Sequence, residues 1–71
     1  MKYPIGTRLE NVTTSTGRTI GLKGYIMSET TEGENQYVNI LWDNHKTTEM
    51  WFTNRIGTDF IVVKRKQIVI I

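Results

Sequence analysis

The chain has no cysteine, one histidine and one proline among its 71 residues. The missing thiols exclude a disulfide framework, a thiolate-bound metal and a cysteine nucleophile together, so packing has to stabilise the fold. Charge of one sign is also scarce: nine basic residues against seven acidic ones leave a net charge of +2. That field is weaker than a protein living mainly on phosphate contacts usually carries, although the isoelectric point is near 9.2. No long hydrophobic run follows Met1-Lys2-Tyr3-Pro4. The expectation is therefore a cytoplasmic protein, in the producing cell or a host, with no secretory segment and no membrane partner. Asn11-Val12-Thr13 matches a glycosylation acceptor, but without a secretory signal it reads as a coincidence of threonine-rich sequence.

At this length residues 1–71 make one domain with no linker to a second. Such a domain buries only about 60% of the surface its unfolded chain exposes, so the core is thin and an enclosed substrate cavity is not expected. Helical periodicity is missing. Apolar and polar residues instead alternate in short runs between clusters of Gly, Asn, Asp and Thr, the pattern of an all-β chain.

Ile5 to Val12 reads as a first strand with Leu9 inward, followed by a loop over Thr13 to Thr19. Leu22 to Ser28 reads as the second, with Leu22, Gly24 and Ile26 on one face and Lys23, Tyr25 and Met27 on the other. An acidic hairpin loop, Glu29 to Asn35, is expected next. Tyr37 to Asp43 is the clearest strand, with Val38, Ile40 and Trp42 opposed to Tyr37, Asn39 and Leu41. After a turn at Asp43 to Lys46, Thr47 to Thr53 is expected to return with Thr48, Met50 and Phe52 together and Glu49 and Trp51 on the outer face. Asn54 to Thr58 suits a single 3₁₀ turn before Asp59 to Val63 resumes as a strand. The β-branched run Gln67 to Ile71 reads as a last closing strand, or as an edge that pairs with another chain.

Catalytic chemistry has little to draw on. His45 stands alone in a turn, with no second histidine or cysteine to complete a triad or a metal set. Glu29, Glu32 and Glu34 lack the ligand order of a calcium loop and read as solvated. The glycines open no helix that could cradle a phosphate. A cofactor is not expected, and neither is a small-molecule substrate.

Three stretches resemble a known pattern: Gly6-Thr7-Arg8-Leu9, Gly21-Leu22-Lys23-Gly24-Tyr25-Ile26, and Val38-Asn39-Ile40-Leu41-Trp42-Asp43-Asn44. They are similar to the "G-x-R-V … G-x-x-G-x-V … V-x-V-x-W-D-N-G" of SH3-like domains of the Mind bomb and HERC ubiquitin-ligase type, and of small bacterial and phage proteins with the same Trp-Asp motif. Phe52 to Phe60, through Arg55, Gly57 and Asp59, looks like that family's closing step. His45 departs from the pattern, which has glycine there, and Ile68 to Ile71 lie beyond it. The resemblance implies a single SH3-like barrel of five or six strands with one short 3₁₀ turn. It also implies binding rather than catalysis, because these residues build a barrel and fold does not transmit activity.

The expected function is a non-enzymatic module, suited to a small phage or bacterial accessory protein, that binds a protein partner or a second copy of itself. Its expected surface is Tyr25, Met27, Tyr37, Leu41 and Trp51 on three neighbouring strands, since aromatic residues and Met are enriched in interface cores. That face has an alternative occupant in the C-terminal strand or the first loop. The rival function is a KOW- or Tudor-like nucleic-acid binder using Lys23, Lys46, Arg55, Lys64, Arg65 and Lys66.

Overall fold

The structure is a computed structural model that describes residues 3–63. It is all-β: β1 (Arg8–Asn11), β2 (Lys23–Glu32), β3 (Asn35–Trp42), β4 (Glu49–Phe52), a 3₁₀ turn (Thr53–Arg55) and β5 (Phe60–Val62). The strands form one antiparallel sheet in the order β4-β3-β2-β1-β5. Its two edges, β4 and β5, do not pair with each other among the described residues, so the sheet is open. The expected closing strand at Gln67 to Ile71 lies outside those residues. No helix among them is long and apolar enough to cross a membrane.

Alternation sets the core. Leu9, Ile26, Val38, Ile40, Trp42 and Phe60 are buried together, and Tyr3, Leu22, Trp51 and Ile56 pack around them. Fully burying an aliphatic or aromatic side chain of this size contributes about 1.5–3 kcal/mol, so six such residues dominate the stability of a small domain. Phe60 is the hub of the aromatic packing: its ring centroid lies 5.3 Å from that of Trp42 and 5.3 Å from that of Trp51, the latter edge-on.

The strands are mostly shorter than expected, β1 covering Arg8–Asn11 and β4 Glu49–Phe52, and the 3₁₀ turn comes one residue earlier, at Thr53–Arg55. The acidic segment is not a long loop: β2 runs on to Glu32 and β3 starts at Asn35, joined by the two-residue turn Gly33-Glu34. Gly33 has φ +59°, the sign that a type II′ hairpin turn requires at its first position. Cross-strand bonding carried by Thr30, Thr31 and Gln36 thus overrides the polar composition. Met27 is the extra residue of a β-bulge, where the register shifts between Ile26 and Ser28.

Gly24 pairs with Trp42 across the β2–β3 ladder. A Cβ there would stand 2.8 Å from Trp42 Cε3 and 2.9 Å from both Ile40 Cγ2 and the Leu41 carbonyl oxygen. The Trp42 indole therefore packs directly against the bare backbone of Gly24. Gly24→Ala is expected to destabilise the domain by about 1–3 kcal/mol through overpacking, read as a lower urea midpoint at unchanged slope.

Candidate interaction surface

The two faces of the sheet are fixed by polar anchors behind it. On the core side, the Glu49 carboxylate accepts hydrogen bonds from the Trp42 indole N–H (3.1 Å) and the Trp51 indole N–H, and Arg18 reaches it through Nε and a terminal guanidinium nitrogen. His45 Nε2 lies 3.4 Å from the same Arg18 guanidinium. The β3–β4 ladder pairs Val38 with Trp51 and Ile40 with Glu49, so both β4 side chains face inward with their core partners. Trp51 is therefore not part of the outer face, and Met50 and Phe52, expected to face together away from it, take its place outside.

The first loop is built on Asn11, which is fully buried. Its Nδ2 donates to the carbonyls of Thr13 (3.0 Å), Arg18 (3.0 Å) and Thr19 (3.1 Å), and its Oδ1 accepts from the Thr16 hydroxyl (2.9 Å). The amide of the apparent glycosylation acceptor is thereby fully engaged. Close by, Asp59 accepts from the hydroxyls of Thr13 and Ser15, each at 3.2 Å, and from the Arg55 guanidinium. Burial pushes the Asp59 carboxyl upward, but the Arg55, Ser15 and Thr13 donors outweigh it and leave the carboxyl below its ordinary value.

On the outer face, Arg8 forms a bidentate pair with Asp43 at 2.6 and 2.5 Å, and its guanidinium lies 4.2 Å from the Tyr25 ring centroid. The hydrogen bond from Arg8 holds the Asp43 carboxyl below its usual value, and the same bond raises Arg8. The arginine of the first motif and the aspartate of the third thus meet across β1 and the end of β3.

The rest of that face is largely apolar. Tyr25 pairs with Leu41, and Tyr37 pairs with Phe52, their rings stacked at 4.7 Å between centroids. Tyr25 and Met27 are each 42% exposed, Phe52 44% and Met50 49%, while Tyr37 and Leu41 are half-buried. Asn39 divides the face, donating through Nδ2 to the hydroxyls of Ser28 (2.9 Å) and Thr30 (3.0 Å). Four of the five residues expected here are in place, and Met50 and Phe52 complete the surface across β2, β3 and β4.

The signal for the missed pair was present. A four-residue turn over Asp43 to Lys46 sets Trp42 opposite Thr47, which puts the odd-numbered residues of β4 opposite the even-numbered core residues of β3. Hydrophobicity alone pointed the other way, because Met50 and Phe52 look like core residues.

Of the basic residues named for nucleic acid, three are among the described residues, and two of those are held in ion pairs. Lys23 pairs with Glu10 at 3.5 Å and Arg55 with Asp59, while Lys46 lies in the turn after β3. Among the described cations only Lys46 makes no ion pair. Lys64, Arg65 and Lys66 lie outside the described residues. No group of three His, Asp or Glu side chains among those residues is placed to hold a metal ion.

Comparison with known proteins gave no match: no family model, no curated protein and no solved structure is similar to this chain.

A depressed carboxyl contributes stability that is complete above its unfolded value, near pH 4, and is lost as pH falls through its lower folded value. Wild-type protein should therefore lose stability below about pH 4. Asp59→Asn is expected to be less stable at neutral pH and to lose less on acidification, as measured by thermal melts across that range.

Proposed function

We propose that this chain is a non-enzymatic binding domain of the SH3-like kind, which engages a protein partner or a second copy of itself through the outer face. The observation that carries the proposal is the apolar surface of Tyr25, Met27, Leu41, Met50 and Phe52, with Tyr37 stacked on Phe52. Monomeric proteins rarely leave such a patch in water, and Tyr, Phe and Met are the residue types that interfaces concentrate at their centres.

The SH3-like assignment is supported by the strand order β4-β3-β2-β1-β5 and by the 3₁₀ turn between β4 and β5. It is supported too by the pairing of Arg8 with Asp43 and of Arg55 with Asp59, which makes the charged motif residues struts of the fold rather than ligand contacts. The described cations, mostly neutralised in place, favour an apolar partner over a phosphate backbone.

Binding by such a surface depends on a few central aromatic residues. Phe52→Ala is expected to weaken partner binding or self-association by about 2 kcal/mol while leaving the melting temperature nearly unchanged. Trp51→Ala is expected to do the reverse, costing about 3 kcal/mol of stability because it empties the space beside Phe60. Affinity should hardly respond to salt. A steep loss of binding with rising ionic strength would replace this reading with the nucleic-acid one.

A further inference from the structure

The end pair of the β3–β4 ladder, Tyr37 with Phe52, brings the start of β3 and the end of β4 to one end of the sheet. The β2–β3 hairpin turn and the 3₁₀ turn are thereby set at that same end. Between the hairpin residues Glu34, Asn35 and Gln36 on one side and Phe52, Thr53 and Asn54 on the other lies a cleft of about 440 Å³. That volume falls within the range of about 300–1,000 Å³ that small-molecule sites occupy. All of these residues but Thr53 are exposed, so the cleft is open rather than enclosed.

The polar groups around it are uncommitted. Asn11 and Asn39 spend their amides on the first loop and on β2. The Glu34 carboxylate and the side-chain amides of Asn35, Gln36 and Asn54, by contrast, make no hydrogen bond or ion pair among the described residues. Thr53 is only 8% exposed, and its Oγ1 is buried with no hydrogen-bond partner among those residues. Buried hydroxyls in native folds normally have a partner. An unpaired one at the base of a cleft ringed by unpaired amides is a donor set that the fold itself does not use.

The chemistry of the set selects the ligand. No lysine or arginine lines the cleft, so an anion would find no counter-charge there. A primary amide both donates and accepts, and a carboxylate accepts, which matches adjacent ring hydroxyls that do both. Phe52, stacked on Tyr37 at 4.7 Å, supplies a flat apolar plate for the C–H face of a pyranose. A small cation would use the carboxylate and the ring but leave the amide donors idle.

We propose that Asn35, Gln36, Thr53 and Asn54 bind the hydroxyls of a neutral sugar laid against Phe52, held as a ligand and not a substrate. This goes beyond the protein-binding role and does not rest on it, although the two surfaces share Phe52.

The test is a titration of the isotope-labelled full chain with glucose, N-acetylglucosamine, maltose and diacetylchitobiose, and separately with tetramethylammonium chloride and inorganic phosphate. Saturable shifts are expected with at least one of these sugars at concentrations of the order of millimolar, a weak but specific range. They should be strongest at the side-chain amide signals of Asn35, Gln36 and Asn54 and at the Thr53 backbone, with tetramethylammonium and phosphate silent. Asn54→Ala is expected to weaken that sugar about tenfold, the effect of one lost hydrogen bond, at unchanged melting temperature. Thr53→Val is expected to weaken it too, with the melting temperature unchanged or raised. Silence with every sugar would overturn the proposal. Shifts with tetramethylammonium or phosphate alone would make the ligand an ion and overturn it as well. A lowered melting temperature in Thr53→Val would show that the fold uses the hydroxyl, and would also count against the site. Partner binding through the outer face should survive Asn54→Ala, which keeps the failure of one proposal distinct from the failure of the other.

Discussion

The carboxylate of Glu49 is the constraint on which the rest of the structure depends. It gathers two indole N–H groups and a guanidinium at one point, from β3, β4 and the first loop. Trp42 is fully buried, and an indole N–H left without an acceptor inside a core costs about 1–3 kcal/mol. Glu49 removes that cost and also fixes which way β4 faces. With Glu49 and Trp51 inward, strand alternation leaves Met50 and Phe52 no choice but to face out. The exposed apolar surface is thus a consequence of satisfying a buried polar group.

A second consequence concerns charge. Arg8, Arg18, Lys23 and Arg55 each close a structural pair with Asp43, Glu49, Glu10 and Asp59. Individually such partly exposed pairs contribute little. Their positions matter more than their energies: Arg18 ties the first loop to β4, Arg8 ties β1 to the end of β3, and Arg55 ties the 3₁₀ turn to the residue before β5. A thin domain without disulfides fixes its loops in this way.

Much of the architecture was legible in the residues. Alternation in Val38, Ile40 and Trp42 named the inward face of β3, and Leu9 and Ile26 followed from the same rule. The short polar segment after Phe52 marked the 3₁₀ turn. Legibility failed where a polar side chain decides the outcome. Glu49 reads as a surface residue, yet the register of the β3–β4 hairpin turns it inward, where it contacts both tryptophans. Asn11 reads as part of a threonine-rich strand end, yet it organises residues 13–19 through its amide. Glu29 to Glu32 read as a loop because composition hides ladder bonding. In each case a hydrogen bond, which leaves no trace in local periodicity, overrides the hydrophobic pattern.

The most direct test of this account is a nuclear Overhauser spectrum of the aromatic side chains. The account predicts cross-peaks from the Trp51 indole to the Phe60 ring and from the Phe52 ring to Tyr37, with none from Phe52 or Met50 to Phe60. Cross-peaks joining Phe52 or Met50 to Phe60, with Trp51 silent toward the core, would place β4 the other way round and remove the outer surface from which the function is argued.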